Sequence, residues 1–325
     1  MNSPFLSHVP MACDEERTAN FRFHSLSRRA ISSLGSNTGR EHLAVSPVVD
    51  LMETLMERPA WAPPGIDISV PSVSRMYDFY LGGSHNFEVD REAARKAMEF
   101  MPGLPKVMQA NRAFMRRAVR YAVAEGVTQF LDIGSGIPTF GNVHEVATAA
   151  TPDARVVYVD HDPVAVAHSR AVLAGEDRTA VVAADLRKPR EILDSPEVRQ
   201  LLDLERPVAL LLVAVLHFLE DEDDPRAAVA ELLDALAPGS LLVLTHASYE
   251  GIPLTQGQAE GTVGVYRQIR NPLVMRSHAE ISRFFDGCEP VEPGLVSMPE
   301  WRPESPVEEE DPYAFSGFAG VGRKA

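Results

Sequence analysis

The stretch FLDIGSGIPTFGNVHEV, residues 130–146, runs from an apolar segment through Gly134 and Gly136 into the start of a helix. The apolar segment reads as a strand and the glycines as the turn at its carboxyl end. Asn142 reads as a helix cap, with Glu145 three positions on and able to reach back to the cap's amide. In an open parallel sheet, ligands lie outside the carboxyl ends of the strands, which places the two glycines at a ligand loop. A dinucleotide loop has the form G-x-G-x-x-G. Here Thr139 takes the third glycine's place, Pro138 stiffens the turn, and Gly141 comes two residues late. Glu145 is a poor neighbour for a pyrophosphate at the helix amino end, and a better one for a ligand with a positive centre.

Outward from this loop, short apolar runs alternate with helical ones. The segments TQFLDI, ARVVYVD, TAVVAAD, PVALLLVAVL and SLLVLTHA read as five strands, with helices over 142–150, 163–174 and 224–236. Strands apolar on both faces and separated by helices are the pattern of a parallel sheet covered on both sides. Two late runs, VEPGLVSM and FSGFAGVGRK, bring the expected count to seven; the acidic, proline-rich PEWRPESPVEEEDP between them reads as an exposed loop. Residues 251–276 are longer than a simple connection and are expected to wall a substrate site.

Ahead of the sheet, the pattern predicts a helical segment from Val73 and helices around 90–100 and 106–125. In the last of these, Val107, Ala110, Phe114, Ala118 and Tyr121 recur at three- and four-residue steps, and Gly126 ends it. Arg95, Lys96, Lys106, Arg112, Arg116, Arg117 and Arg120 read as a solvated helix face. The expected organisation is a disordered leader over 1–65, with Met52 or Met56 as alternative starts, a helical cap or lid over 66–126, and the sheet domain over 127–325.

The 325 residues carry a net charge of -15, which opposes broad attraction to nucleic acid or an anionic membrane. Cys13 and Cys288 cannot build a disulfide framework, and no histidines or cysteines stand at metal-ligand spacing, so no metal is expected. The longest apolar run, Val208–Leu219, is too short to span a bilayer, and the first residues lack a secretory pattern; a cytoplasmic protein is expected.

Three acids end the first three strands. Asp160 lies where a carboxylate accepts from both ribose hydroxyls, because Asp162, just before Pro163, is better placed as the helix cap. Asp185 is positioned either for an adenine amino group or as the next helix cap, and Asp132 adds a negative group behind the glycines. Together they fit an adenosine with a cationic tail.

The ordered blocks YDFYLGGSHNFEVDREAA, ANRAFMRRAVRY, FLDIGSGIPTFGNVHEVA, YVDHDPVAVAHSRAVL, LLVAVLHFLEDEDDP and FAGVGRK resemble the actinobacterial S-adenosyl methyltransferase family, class I enzymes first catalogued as a domain of unknown function. The resemblance runs from about residue 66 to the end. It implies a Rossmann-like α/β fold, a mostly parallel seven-stranded sheet with helices on both faces and an added N-terminal helical region. S-adenosylmethionine is the implied cofactor. Carried over by position, the implied contacts are Asp132, Gly134, Ser135 and Gly136, then Asp160 and His161, then Asp185 and Leu186. His161 stands where an asparagine is expected.

The acceptor is not given by the resemblance. The acidic surface and the stretch VLHFL favour a small molecule. His217, ending the fourth strand, reads either as a general base of near-neutral pKa or as a packing or cofactor-lining residue. Tyr77, Tyr80 and Asn86 read as a lid hinged at Gly82 and Gly83, against the alternative of plain packing. Arg112 is a candidate for holding a carboxylate, and His246 and Tyr249 for lining the acceptor pocket. A cofactor-binding regulatory protein without turnover and an NAD-dependent oxidoreductase are the competing readings.

Overall fold

The computed structural model describes residue 62 and residues 67–138, 141–250, 255–269, 272–305 and 316–325. The expected leader over 1–65 falls almost wholly outside the described residues, and so does Thr139.

Five parallel strands lie at the centre: β1 (Gln129–Ile133), β2 (Arg155–Asp160), β3 (Thr179–Ala183), β4 (Ala209–Val213) and β5 (Leu241–His246). They are followed by β6 (Cys288–Pro290), β7 (Val296–Ser297) and β8 (Phe318–Lys324). The spatial order is β3-β2-β1-β4-β5-β8-β6, with the two-residue β7 paired to β8 off this path. β8 runs antiparallel to β5, with Leu241 opposite Arg323 and Thr245 opposite Ala319. The sheet thus has eight strands against the expected seven: VEPGLVSM supplies only the two-residue β7, off the main path, and the unexpected strand is β6, just before that run. β1 has β2 on one side and β4 on the other, so the chain reverses direction across the sheet there and opens a crevice at the carboxyl ends.

Alternation along each strand sends side chains to two separate cores. Phe130, Val156, Tyr158, Ala209, Leu211, Leu241 and Val243 pack on one face. Leu131, Ile133, Val157, Val159, Leu210, Leu212, Leu242 and Leu244 pack on the other. Asp132 and Asp160 share the parity of the first set. That parity turns both carboxylates toward the face covered by the long N-terminal helix.

The helices before the sheet are α1 (Val73–Tyr80), α2 (Glu88–Phe100) and α3 (Leu104–Ala124). α3 ends at Gly126, whose φ of +83° closes the turn. Its buried face includes Asn111, Phe114, Met115, Ala118, Val119 and Ala122, so the expected stripe is rotated and Tyr121 sits at its margin. The following helices are α4 (Val143–Ala150), α5 (Pro163–Val172), α6 (Pro189–Leu193), α7 (Pro196–Leu201), α8 (Pro225–Asp234), α9 (Gln256–Gln268) and α10 (His278–Ser282). α9, inserted after β5, packs Val265 and Tyr266 against Met76, Tyr80, Ala94 and Ala97, giving the cap a core of its own. The approach is close: a Cβ on Gly261 would meet the Phe100 ring at 2.2 Å. At the other end of the cap, buried Asp90 accepts from the Ser72 amide at 2.9 Å, the Phe87 amide at 2.8 Å and Arg75 Nε at 3.0 Å.

Two expectations about charge fail here. PEWRPESPVEEEDP does not read out as a wholly exposed loop, because Trp301 is 0% exposed and packs edge-on against Phe114 and Tyr121. The arginines of α3 are not simply a solvated face. Arg117 donates to the carbonyls of Trp301 at 2.8 Å and Met298 at 2.6 Å, and Arg120 pairs with Glu304. The basic helix thus fastens the chain that returns between β7 and β8.

Candidate active site

A cavity of about 300 Å³ opens at the carboxyl ends of β1 to β5, beneath α1, α3 and α9. Its floor on one side is the glycine loop. Gly134 and Gly136 have φ of +76° and +67°, the left-handed region that glycine enters without strain. The amides of Gly134 and Ser135 donate to the Val159 carbonyl at 2.8 and 3.1 Å, and the Gly136 amide donates to Asp160 Oδ2 at 2.7 Å. The other oxygen of Asp160 accepts from the Asp162 amide at 2.8 Å. Asp162 itself caps α5, accepting from the Val164 amide at 2.7 Å, as the sequence leads one to expect. Asp162 also receives the Ser72 hydroxyl, which ties the start of the cap to this loop. Glu145 accepts from the amides of Gly141 at 2.6 Å and Asn142 at 3.1 Å, the expected reach back to the cap.

Asp132 is buried behind the glycines. Burial pushes its carboxyl up to about 7, opposed by the Arg112 guanidinium and reinforced by Asp160. Burial also raises Asp160, against the amides it accepts from. Arg112 donates to the Gly141 carbonyl at 3.4 Å and to Asn142 Oδ1 at 3.2 Å, so it stands at the cavity's loop end. Because folded Asp132 keeps its proton to about pH 7 while an unfolded aspartate loses it near about 3.9, the folded state binds more protons across that interval. Stability contributed by Asp132 is therefore full at low pH and lost as pH rises through the folded value. Urea unfolding at pH 5 and 7.5 is expected to show the protein weaker at 7.5. Asp132→Asn should remove Asp132's share of that loss, and identical pH slopes in the two proteins would contradict the assignment.

His161 lines the cavity with its side chain 53% exposed and its Nδ1 3.8 Å from Asp160 Oδ1. Asp185 and Leu186 line it after β3. Burial opposes ionisation of Asp185, but hydrogen bonds and charge from Arg187 outweigh it and hold the carboxyl below its usual range. Arg187 Nε and Nη2 donate to its two oxygens at 3.0 and 2.6 Å. Asp185 therefore meets the cavity as a paired carboxylate and caps no helix, since α6 begins after Lys188.

The remaining wall comes from β4, β5 and the cap. His217 Nδ1 accepts from the Ala247 amide at 3.3 Å, which leaves the ring hydrogen on Nε2. Burial, then His246 and Arg276, hold its pKa well below the usual histidine range. A general base of near-neutral pKa is therefore not what the structure presents: the accepting nitrogen is occupied, and His217 is a neutral Nε2 donor. His246 is also neutral, lowered to about 4 by burial. Its Nδ1 lies 2.7 Å from the Ala247 carbonyl and its Nε2 3.0 Å from Arg276 Nη1, so both ring nitrogens are committed.

The lid residues divide. Tyr77 and Tyr80 line the cavity, and Asn86 does not. Asn86 is buried in a polar knot, donating to Asp78 Oδ2 at 2.7 Å and to the Gly83 carbonyl at 3.0 Å. Gly83 belongs to the same knot, for a Cβ there would meet Asp78 Oδ1 at 2.0 Å. Tyr249 is 54% exposed and stands outside the cavity wall, a correction to its expected role.

Other residues on the cavity wall escaped the sequence reading. Thr245 Oγ1 accepts from the Ala214 amide at 2.8 Å and donates to Asn111 Oδ1 at 2.7 Å; Asn111 Nδ2 donates to the Tyr77 hydroxyl at 2.9 Å. This relay joins β4, β5, α3 and α1 across the cavity, and it holds Ala214 at a φ of +57°. Behind it, buried Arg276 donates to the carbonyls of Leu216 at 3.2 Å and Leu219 at 3.1 Å and to Asp221 at 2.6 Å, bracing the turn that carries His217. Asn111 carried a signal, a polar residue on the apolar stripe of α3. Arg276 carried none.

The family model for S-adenosyl methyltransferases matches residues 59–325. The chain belongs to that family. It is an S-adenosylmethionine-dependent methyltransferase, which removes the NAD reading. A structure from Thermobifida fusca, described as a candidate methyltransferase, is 43% identical with a TM-score of 0.77; the match covers 82% of this chain and 99% of that one. A DUF574 family protein from Streptomyces avermitilis is 40% identical with a TM-score of 0.76, covering 80% of this methyltransferase and 99% of its own chain. No protein of curated function matches the chain. Among the described residues of the methyltransferase, no helix is long and apolar enough to cross a membrane, and no group of three or more His, Cys, Asp or Glu side chains is placed to hold a metal.

Proposed function

We propose that the methyltransferase holds its cofactor along the ends of β1 to β3 and methylates a small molecule enclosed in the same cavity under the cap. The observation that carries this reading is the continuity of one cavity from Gly134, Asp160 and Asp185 to Tyr77, Tyr80 and Tyr266. Strand ends at a crossover of the sheet are where such folds seat a nucleoside. The helical cap supplies a second, separate wall.

The residues at the first end fit an adenosyl sulfonium. Ser135 Oγ is buried with no hydrogen-bond partner, a deficit that a ligand group would relieve. A Cβ at Gly136 would meet no atom within 4 Å, so open space borders the loop. Asp132, Gly134, Ser135, Gly136, Asp160, His161, Asp185 and Leu186 are the residues assigned to the cofactor, with each Asp160 oxygen keeping a lone pair beyond the amide it already accepts. Bound there, the cofactor supplies an electrophilic methyl on sulfur, displaced in line by the acceptor's nucleophile. The protein's own part is orientation and exclusion of water. His217 donates from Nε2, and the Ala214–Thr245–Asn111–Tyr77 relay fixes the hydroxyl of Tyr77. Arg112 serves the cofactor's carboxylate, near Asp132.

Asp160→Ala is expected to weaken S-adenosylhomocysteine binding by about 1.5–3 kcal/mol, roughly 10- to 150-fold, through lost charge-assisted hydrogen bonds. Calorimetry reads this directly, and unchanged affinity in a folded variant would remove Asp160 from the site. Transfer of a labelled methyl from the cofactor into a metabolite extract tests the small-molecule acceptor. Label recovered only in macromolecules, with none in small molecules, would overturn the small-molecule acceptor.

A further inference from the structure

The wall of the cavity changes character along its length. The ionisable side chains Asp132, Asp160, Asp185, Arg187, Glu220 and Asp223 come from β1, the end of β2 and the loops after β3 and β4, and Arg112 leans toward the glycine loop. Among the described residues contributed by α1, α9, the β5 loop and 272–275, none on the cavity wall carries a formal charge, since His246 is neutral. Whatever lies against these elements meets no fixed counter-charge, and an ion there would be desolvated without compensation.

Methionine adds to this wall: Met101 and Met108, both lining the cavity, pack in one apolar cluster with Tyr80, Tyr266 and Phe218, and Met275 comes from 272–275. Thioethers are flexible and polarisable, and they make favourable contacts with aromatic rings. Phe218 and Tyr266, with ring centroids 6.0 Å apart and planes 30° apart, add two aromatic faces.

The same wall has one unspent polar group. The Tyr80 and Tyr266 hydroxyls lie 3.3 Å apart, each the other's hydrogen-bond partner, and both belong to the cavity wall. One hydrogen bond between two hydroxyls uses one hydrogen. The second is left in a buried site, where an unmet donor is costly. Burial raises both phenols, Tyr266 to about 12, so both remain donors. A ligand oxygen would complete the set.

We propose that the methyl acceptor is an uncharged aromatic molecule bearing a carbonyl or hydroxyl oxygen, its ring against the methionine wall and its oxygen bonded by the Tyr80–Tyr266 pair. This rests on the reading of the cavity as a joint site for cofactor and acceptor. The test uses the full chain saturated with S-adenosylhomocysteine at pH 7.5 and three probes of one shape: 1-naphthol, 1-naphthoate and 1-naphthylmethylammonium. Naphthol is expected to bind about tenfold or more tightly than either ion, consistent with the penalty for burying an unpaired charge. Tyr266→Phe and Tyr80→Phe are each expected to weaken naphthol about three- to tenfold, one neutral hydrogen bond, with S-adenosylhomocysteine affinity unchanged. Equal or tighter binding of either ion overturns the proposal, as does failure of all three probes. Naphthol affinity unmoved in both folded variants overturns the tyrosine anchor. The charge series needs no variant, so it stands even if a substitution disturbs folding. The cofactor titration is read first and alone: its failure marks the underlying cofactor reading as wrong, whereas its success with probe failure marks the acceptor class as wrong.

Discussion

Trp301→Ala is expected to lower the unfolding free energy by about 3–5 kcal/mol, the range for truncating a large buried aromatic. The residue is 0% exposed. Its ring centroid lies 5.3 Å from Phe114 and 5.8 Å from Tyr121, both edge-on, the arrangement that adds attraction beyond area burial. Arg302 lies over Tyr121 at 4.3 Å, and Arg117 holds the Trp301 carbonyl. Removing the indole therefore opens a void between α3 and the chain returning to β8, and these anchors oppose its collapse. Against a typical total of about 5–15 kcal/mol, the loss takes away a large part of the fold's stability. Indole Nε1 is buried without a hydrogen-bond partner, so Trp301→Phe discards an unmet donor with part of the ring and should cost far less than the alanine variant. Urea unfolding compares the two. A midpoint for Trp301→Ala equal to the parent's would mean that this segment does not pack as described.

Trp301 also marks where sequence reading stops. The sheet was legible because parallel strands are buried on both faces and so carry continuous apolar runs, as in Ala209–Val213 and the first four residues of Leu241–His246. The glycine loop and Asp160 were legible because loop and acid sit at fixed places in such a sheet. PEWRPESPVEEEDP misled because its composition averages over 14 residues, while one tryptophan decides where the segment goes. Asn86 and Tyr249 misled in a related way: adjacency to a strand end or a glycine pair does not say which way a side chain turns. His217 was correctly brought to the cavity, yet its tautomer depends on the Ala247 amide, 30 residues later. Tyr266 could not be picked out, since its meaning lies in a partner 186 positions earlier.

The two glycines of the opening loop should fail in opposite ways. At Gly134, φ is +76° and a Cβ would lie 2.5 Å from Val215 Cγ2 and 2.7 Å from its Cβ. Alanine there combines left-handed strain of about 1–2 kcal/mol with overpacking of about 1–3 kcal/mol, on the order of 2–5 kcal/mol in all. The obstacle is the stiff, β-branched side chain that follows β4, which has little room to rotate away. At Gly136, φ is +67° but a Cβ meets nothing within 4 Å, so alanine pays the strain and no collision. Part of that strain is offset by the smaller conformational freedom of alanine in the unfolded chain, leaving a net of about 1 kcal/mol. The open space beside Gly136 is, however, the space assigned to the cofactor. Gly134→Ala is therefore expected to melt far below the parent, and Gly136→Ala close to it while binding S-adenosylhomocysteine at least about tenfold more weakly, a difference of about 1.4 kcal/mol. Melting curves and calorimetry on the pair separate the two effects. Parent-like affinity in Gly136→Ala would place the cofactor elsewhere, and a parent-like melt for Gly134→Ala would mean that Val215 does not close over the loop.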